Sequence, residues 1–311
     1  MRPPHTSLPS TDLVMKLSDA LRCHSPVTHA TESKLAAALQ DALAQPGHLV
    51  RAQLVFQGCV AQNLCENDAL ALATAVEYFH HASLLYDDLP CMDNATTRRG
   101  RLCLHRTYGD ATTILAALAL INRAYALMHG VLSGQPSSVR DLAYGCIENT
   151  LGAGGIIDGQ ARDLRYGEQP QPAREVLRIA AKKTGALFLL AVYLPALFGS
   201  PNPSEHRALR SICLYWGLLF QIIDDLNDVL STSAITGKTT GRDRILNRAN
   251  LVHATGLPNT RDRLTHLLTL ATRTIQKLGR DERWDHLVHF HQVYFSDLAR
   301  QKILLGALSA A

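Results

Sequence analysis

Apolar residues recur every three or four positions along nearly the whole chain, and this spacing restricts its fold more than any other feature. Residues spaced in this way share one face of an α-helix. Ala and Leu dominate, while runs rich in Val, Ile, Thr and aromatic residues are scarce, which also favours helices. About ten segments carry the pattern: 32–45, 49–65, 67–89, 110–133, 137–155, 173–183, 185–198, 204–230, 260–278 and 284–308. The sequence therefore predicts an all-α protein of about ten or more helices.

The breaks between these segments indicate one domain. They are short and carry turn residues, as in "QPGH" and "GSPNPS", and none is long enough for an interdomain linker. No internal repeat of about 20–50 residues is visible. We expect one helical domain over residues 31–311. Residues 1–30 are expected to form a loose tail, because the prolines of "MRPPHTSLPS" oppose a helix.

Charge and composition exclude several classes of function. The formal net charge is only +4 and the basic residues are scattered, so no nucleic-acid partner is expected. The stretch "ALFLLAVYLPALFG" at 186–199 is too short to span a bilayer and contains Pro195, which predicts a buried helix and not an integral membrane protein. The N-terminus has no secretory apolar core, and the seven cysteines form no CxxC pair. We expect a reduced, cytoplasmic protein.

Two acidic clusters stand at the ends of strongly apolar helical segments. They comprise Asp87, Asp88 and Asp93 in "LLYDDLPCMDNATTRRG", and Asp224, Asp225 and Asp228 in "FQIIDDLNDVL". A lone Asp-Asp pair at a helix end is more often solvated surface or a cap, but two such clusters on apolar helices suggest a shared partner. Crowded carboxylates repel one another and are costly to bury, so a cation is expected. Oxygen ligands without Cys or His suit Mg²⁺, which often bridges carboxylates to phosphates.

Basic residues accompany both clusters. They are Arg98 and Arg99 after the first cluster, and Lys183, Lys238 and Arg248 in segments near the second. Any one of these side chains could be an ordinary surface charge. Taken together with metal ions, guanidinium and ammonium groups can hold a diphosphate and stabilise its charge as it leaves.

These motifs resemble those of the trans-isoprenyl diphosphate synthases, also called polyprenyl synthases. The resemblance runs from about residue 44 to 255 and includes "GGIIDGQARDL", "KKTGALF" and "GKTTGRD" in the expected order. It implies the isoprenoid synthase fold, in which helices surround a central cavity and the two acidic motifs face each other. It also implies a homodimer and a role in isoprenoid biosynthesis. The four residues between Asp88 and Asp93 are similar to the form of the motif found in short-chain members.

The resemblance also implies a reaction. An allylic diphosphate would be held by Mg²⁺, three ions when the diphosphate is bound, on the six aspartates of the two clusters, with help from Arg98, Lys183 and Lys238. Its ionisation would leave an allylic carbocation, steadied by Thr184 and Gln221. The alkene of isopentenyl diphosphate would then attack, and the departing diphosphate would take up the proton. Catalytic roles fall to Asp87, Asp88, Asp224, Asp225, Lys183, Thr184 and Gln221.

The site that the family provides for isopentenyl diphosphate is only partly matched. Arg51, His80 and Arg99 agree with the family pattern, and Arg248 replaces a lysine with its charge kept. In "PGHLVRA", however, His48 stands where the family has lysine and Leu49 where it has its first arginine. Ala52 likewise replaces a proline. The resemblance assigns His48, Arg51, His80, Arg98, Arg99, Lys183, Lys238 and Arg248 to diphosphate binding.

Small residues before the first cluster bear on product length. Family members that stop at fifteen carbons commonly have a bulky aromatic residue where this chain has Ala82 and Ser83. Phe79 lies four residues before Ser83, hence about 5.4 Å deeper along the same helix face. This predicts geranylgeranyl diphosphate (C20) as the product with Phe79 as the tunnel floor; farnesyl diphosphate and a C25 product are alternatives. Phe79 could equally be an ordinary core residue.

Two other functions remain open from sequence alone. The departures at His48 and Leu49 fit a terpene cyclase on the same fold, which would ionise an allylic diphosphate without using isopentenyl diphosphate. A noncatalytic subunit that modulates another synthase is the second alternative. It fits less well, since such a subunit has no need of all six aspartates.

Overall fold

The computed structural model of the chain describes residues 11–168, 172–230, 246 and 248–296. Its α-helices are α1 (Thr11–Cys23), α2 (Ser33–Ala44), α3 (Val50–Ala61), α4 (Glu66–Asp87), α5 (Leu104–Tyr108), α6 (Asp110–Ser133), α7 (Ser137–Leu151), α8 (Ile156–Leu164), α9 (Ala173–Leu197), α10 (Pro203–Leu230), α11 (Leu251–Thr255), α12 (Leu257–Leu278) and α13 (Asp285–His291). Short 3-10 helices cover Tyr166–Glu168 and Glu282–Trp284, and a π-helical turn covers Gln292–Ser296. The all-α prediction is confirmed.

Helices α4 and α9 form the centre of the molecule. Eight consecutive residues of α4, Leu72 to Phe79, are buried on every side, and so are most residues of α9 from Gly185 to Leu197. Helices α3 and α6 pack against α4, while α7, α8 and α10 pack against α9. A helix that is buried all round carries no polar face, which explains why the apolar stripe in these two segments is so broad.

Helix α9 runs without the interruption that the sequence suggested between residues 183 and 185. A Cβ added at Gly217 on α10 would lie 2.4 Å from the Cα of Gly185 on α9, so the two helices cross with their backbones in contact. Gly185 therefore lies inside the helix to permit this close approach and does not end it. The cost of glycine within a helix, about 1 kcal/mol relative to alanine, is offset by that packing.

Part of the predicted loose tail is a helix. Helix α1 places Leu17 and Leu21 in the core, each 1% exposed, and the Leu21 carbonyl accepts a hydrogen bond of 2.6 Å from the hydroxyl of Tyr78. The prolines that oppose a helix lie at positions 3, 4 and 9, before α1 begins. The structure therefore corrects the prediction for residues 11–23, because an amphipathic stripe follows the prolines and docks on α4.

Two helices, α6 and α9, are long and apolar enough by composition to cross a membrane, a test that core helices also pass. In the most apolar window of α9, 72% of the residues are buried inside the protein, as expected for a core helix. Only 39% are buried in the corresponding window of α6, whose outer face carries exposed apolar side chains.

A compact loop and a small hairpin follow α4. The backbone N–H of Asp93 donates to the carbonyl of Asp87 (2.9 Å), so the chain folds back over the helix end after Pro90. Strands β1 (Thr97–Arg98) and β2 (Arg101–Leu102) then pair in antiparallel register. Arg99 (φ 52°) and Gly100 (φ 78°) form the turn with both residues in the left-handed region, as a two-residue hairpin loop requires. This turn fixes where the arginines next to the first cluster lie.

Candidate active site

The adjacent aspartates at the end of α4 have different environments. Asp88 is only 3% exposed, and both of its carboxylate oxygens accept hydrogen bonds from Arg98, at 2.7–3.1 Å. Such a bidentate pair fixes the position of the guanidinium as well as that of the carboxylate. Asp88 therefore anchors the hairpin to the helix end, while Asp87 lies half-buried beside it.

Asp87 lies near a second, partly buried ion pair. The Nζ of Lys183 on α9 donates to Oδ2 of Asp163 on α8 at 2.8 Å. Burial raises the pKa of Asp87, and Lys183 opposes that rise. Burial lowers the pKa of Lys183, but the nearby carboxylates of Asp87 and Asp163 outweigh burial and raise that pKa above its ordinary value. Lys183 thus stays charged between two aspartates. The sequence grouped it with the second acidic cluster, whereas the structure places it beside the first.

Arg248 reaches the same cluster from the other end of the sequence. Its Nη2 donates to Oδ1 of Asp93 at 2.7 Å and to the carbonyl of Met92 at 2.9 Å. The next residue, Ala249, donates its backbone N–H to Oδ1 of Asp163 at 3.3 Å. Asp163 therefore accepts hydrogen bonds from both α9 and the segment before α11. It lies between the charged side chains of Lys183 and Arg248.

The aspartates of the second acidic cluster, like those of the first, differ in burial and in their hydrogen-bond contacts. Asp225 is 1% exposed, and its oxygens accept from Nε2 of Gln221 (2.9 Å) and from the backbone N–H of Leu251 (2.7 Å). Asp224 is exposed and Asp228 is half-buried. Asp225 therefore anchors the start of α11, while its two neighbours in the motif lie nearer the surface.

Thr184 and Gln221, which were predicted to steady a cation, contact each other. The hydroxyl of Thr184 donates to Oε1 of Gln221 at 2.9 Å, and the amide of Gln221 in turn donates to Asp225. This chain of hydrogen bonds links α9 to α10 directly beside Lys183. Of the predicted catalytic residues, Thr184, Gln221 and Asp225 are thus joined by hydrogen bonds, and Lys183 is the residue before Thr184 on α9.

The segment from Arg248 to Leu251 connects the two clusters. Arg248 contacts Asp93 of the first motif, and Leu251 contacts Asp225 of the second. Three residues of extended chain span at most about 11 Å. The structure therefore brings both motifs to one region, as the sequence predicted, although they are separated by more than 130 positions.

The donor set fits Mg²⁺ only in combination with a ligand. Among the described residues, no three carboxylate, imidazole or thiol side chains come close enough together to hold an ion. Asp87 and Asp93 lie near each other, and the interaction between them raises the pKa of Asp87 further. Two carboxylates supply part of an octahedral shell, and phosphate oxygens are the usual complement.

A second group of basic residues lies between α3, α4 and the hairpin. Nη1 of Arg51 is 3.3 Å from Nε2 of His80, and its guanidinium lies 5.4 Å from the centre of the Phe188 ring. Arg99 donates to the carbonyl of Gln45 at 2.7 Å and packs on Gly47, where a Cβ would lie 2.4 Å from its Cζ. The structure thus brings together three of the predicted isopentenyl diphosphate residues, Arg51, His80 and Arg99.

Two of the three departures from the family motif in "PGHLVRA", His48 and Leu49, have different positions. His48 is exposed at the entrance to α3. Leu49 is 2% exposed, adopts a left-handed conformation (φ 52°) and packs in the core. A buried leucine cannot contact a diphosphate, so the first arginine of the family motif has no substitute at this position.

The predicted chain-length residues follow one face of α4 inward from Asp87. Ser83 is half-buried, Ala82 is 1% exposed and Phe79 is 8% exposed. The ring of Phe79 meets that of Tyr125 on α6 edge to face, with 5.0 Å between centroids. Phe79 therefore makes an aromatic contact that the sequence did not reveal.

Two acidic residues near the predicted site, Asp163 and Glu77, were not singled out from the sequence, and one predicted residue lies outside the described part of the chain. Asp163 belongs to a segment that matches the family, but only the fold shows it against Lys183. Glu77 is 1% exposed beside the arginine group, and a lone carboxylate in the apolar run "ALALATAVEYFHH" was the available signal. Lys238 falls outside the described residues.

Comparisons with known proteins identify the family of this chain. The polyprenyl synthetase family model matches residues 32–281. A geranylgeranyl diphosphate synthase of Pantoea ananas is 31% identical over 265 residues, covering 83% of this chain and 84% of that protein. The chloroplastic geranylgeranyl pyrophosphate synthase 7 of Arabidopsis thaliana is 36% identical over 240 residues, covering 76% and 69% of the two chains.

Solved structures share the fold. An FPP/GFPP synthase from Zymomonas mobilis superposes with a TM-score of 0.78 at 25% identity, covering 92% of this chain and 96% of that one. A geranyltransferase from Helicobacter pylori, complexed with magnesium and isoprenyl diphosphate, superposes with a TM-score of 0.74 at 24% identity. The match covers 98% of this chain and 100% of that one. Together with the family model and the sequence relatives, these likenesses show that the chain belongs to the polyprenyl synthetase family.

Proposed function

We propose that this chain is a prenyltransferase that joins an allylic diphosphate to isopentenyl diphosphate and releases geranylgeranyl diphosphate. The observation that supports it best is the polar network of Asp93, Asp163, Lys183 and Arg248 beside Asp87. One short segment links this network to the second acidic motif. Such a site can bind a diphosphate and neutralise its charge as it departs.

The chemistry uses this network in three steps. The C–O bond to the allylic diphosphate breaks, leaving a carbocation, and Lys183 and Arg98 carry the charge that appears on the leaving group. The alkene of isopentenyl diphosphate then forms the new C–C bond. Finally a proton is lost from the new chain to the released diphosphate, which restores a double bond. The Thr184 hydroxyl and the Gln221 amide oxygen present their negative ends near the path of the cation.

Mg²⁺ is the metal that fits this family and this donor chemistry. Asp87 and Asp93 would hold it on one side, and Asp224 and Asp228 on the other, with diphosphate oxygens completing each shell. Bound Mg²⁺ neutralises the diphosphate and makes it a better leaving group. We propose three ions in the substrate complex. We infer that Asp88 and Asp225 mainly position neighbouring groups, because both oxygens of each already accept hydrogen bonds within the protein.

The length of the product follows from the helix face below Asp87. Ser83 and Ala82 leave space beside the first two turns, and Phe79 stands one turn deeper, where it would end a twenty-carbon chain. The relatives from Pantoea and Arabidopsis described above are geranylgeranyl diphosphate synthases, which supports the same product here.

Product analysis tests this function directly. Purified protein with Mg²⁺, isopentenyl diphosphate and each allylic primer in turn should give a twenty-carbon diphosphate as the main product by mass spectrometry. A terpene cyclase would instead release a hydrocarbon from farnesyl diphosphate when isopentenyl diphosphate is left out. A protein without turnover under any of these conditions would favour the noncatalytic subunit.

We also propose that the protein is a homodimer that works in the cytoplasm. The outer face of α6 exposes Ile114, Leu115, Leu118 and Tyr125, at 42–54% each, which form an apolar surface that a second copy would cover. All seven cysteines are free thiols, as is usual in a reducing compartment.

A further inference from the structure

Glu77 occupies a position that the proposed reaction does not use. It lies in the middle of α4, 1% exposed. Its Oε2 accepts a hydrogen bond of 3.3 Å from the backbone N–H of Ala52 on α3, and its Oε1 lies 3.8 Å from Nε2 of His81. A carboxylate buried to this extent is costly unless cations or donors compensate for the lost hydration.

The compensating cations are those assigned to isopentenyl diphosphate. Arg51, next to Ala52 on α3, and Arg99, on the hairpin turn, both attract the charged form of Glu77. Burial outweighs them and raises the pKa of Glu77 to about 7. Burial also lowers the pKa of Arg51, an effect that Glu77 opposes, and the Nε of Arg51 has no hydrogen-bond partner.

The two histidines of this group add no positive charge at neutral pH. Burial, followed by nearby arginines, lowers the pKa of His80 well below its ordinary value. The same causes lower the pKa of His81 to about 4, against a hydrogen bond with the carbonyl of Pro46. With Leu49 in the core, Arg51 and Arg99 are the fixed cations that face Glu77 among the described residues.

We propose that Glu77 is the internal anion of the isopentenyl diphosphate site, which competes with the substrate for Arg51 and Arg99 when ionised and releases them when protonated. This inference rests on the proposed function. The substrate diphosphate and the Glu77 carboxylate are like charges near the same two guanidinium groups, in a region shielded from water, so each disfavours the other. Binding of isopentenyl diphosphate therefore draws a proton onto Glu77.

Linkage gives the sign of the pH effect. Below pH 7 the Glu77 carboxyl is largely protonated, so it does not repel the diphosphate of the bound substrate. Above pH 7 the enzyme must take up a proton, or tolerate the repulsion, when isopentenyl diphosphate binds. The KM for isopentenyl diphosphate should therefore rise between about pH 6 and pH 8, while the KM for the allylic substrate, which binds at the aspartates, does not follow it.

Glu77→Gln separates this role from a purely structural one, because it removes the charge and retains an oxygen that can accept from Ala52. At pH 8 the KM for isopentenyl diphosphate should fall by at least about 3-fold, with kcat and the allylic KM unchanged and the pH profile flattened. An unchanged or higher KM in this variant overturns the proposal. Glu66→Gln, which removes an exposed carboxylate from the first turn of α4, is the matched control and should leave every parameter as in wild type.

Two further measurements make the outcome decisive. Calorimetry of isopentenyl diphosphate binding to the wild type at pH 7.5, in buffers of different ionisation enthalpy, should show net proton uptake even if the variant does not fold; no uptake rejects the inference. His48→Lys should lower the KM without flattening its pH dependence, and flattening by this change alone would assign the effect to His48. A wild type that forms no product from isopentenyl diphosphate would refute the proposed function itself, which is a different result.

Discussion

Neighbouring aspartates in each acidic motif point in different directions, because successive helix residues are about 100° apart. In both motifs one member of the Asp-Asp pair turns inward to anchor backbone or an arginine, as Asp88 and Asp225 do. The other member, Asp87 or Asp224, remains accessible. The sequence predicted all four as metal ligands, and only the folded structure shows that the contacts of their oxygens differ.

This difference predicts opposite phenotypes for two adjacent substitutions. Asp224→Asn should reduce kcat/KM by about 100-fold or more at an unchanged melting temperature, since it removes a metal ligand. Asp225→Asn should lower the free energy of unfolding by about 1–3 kcal/mol, because the charged acceptor for Leu251 is lost. Steady-state kinetics and urea denaturation measure the two effects. Equal loss of stability in both variants would contradict the assignment.

At the scale of elements, the approach of α8 to α9 positions the site. A Cβ at Gly159 would lie 2.6 Å from the backbone nitrogen of Lys183, so the two helices touch there. Asp163 follows one turn later on the same face of α8, which is why its carboxylate reaches Lys183. A small residue on one helix thus sets the distance between two charged groups.

Gly159→Ala should therefore impair catalysis from a position without functional groups. The added methyl group forces α8 from α9 and lengthens the contact between Asp163 and Lys183, so kcat should fall by about 10-fold or more. Gly145→Ala on α7 is the matched control, because nothing lies within 4 Å of its new Cβ. Its activity should match that of the wild type, with equal or greater stability. Unaltered kcat in Gly159→Ala would show that the helix spacing is not critical.

The contact between α4 and α6 is predicted to limit product length. Phe79→Ala should shift the main product from twenty to twenty-five or more carbons, because the tunnel deepens by about one helical turn. Tyr125→Ala should broaden the distribution, since it removes the ring that supports Phe79. Product masses from farnesyl and isopentenyl diphosphates measure both changes.

Tyr144→Ala, at an exposed aromatic residue of α7, is the control and should leave the product unchanged. If Phe79→Ala still gives a C20 product, Phe79 has only a packing role.

At the scale of the whole molecule, the exposed apolar face of α6 predicts association. Leu115 and Leu118 are 53% and 54% exposed. Replacing both with Asp places charge at the proposed interface, so the dimer should dissociate and activity should fall with it. Light scattering after gel filtration gives the mass of the species. Val60→Asp, at an apolar residue of α3 that is 46% exposed, should stay dimeric; a monomeric wild type would reject the interface.

The sequence by itself determined the fold class, the helical segments and the two acidic motifs, because helix periodicity and residue chemistry act over a few neighbouring positions. Together with the family resemblance, this was enough to predict a prenyltransferase, and that prediction is confirmed. The local pattern could not show that α1 docks on α4, since a proline-rich start conceals the stripe that follows.

Tertiary structure alone decided which charged groups meet. Arg248 reaches Asp93 across 155 positions, and Glu77 faces Ala52 across 25. Neither pair has a signature in residue spacing, because such contacts depend on how complete helices cross. Burial is likewise a property of the packed molecule. It distinguishes Asp88 and Asp225 from their neighbours Asp87 and Asp224, and it raises the pKa of Glu77 to about 7.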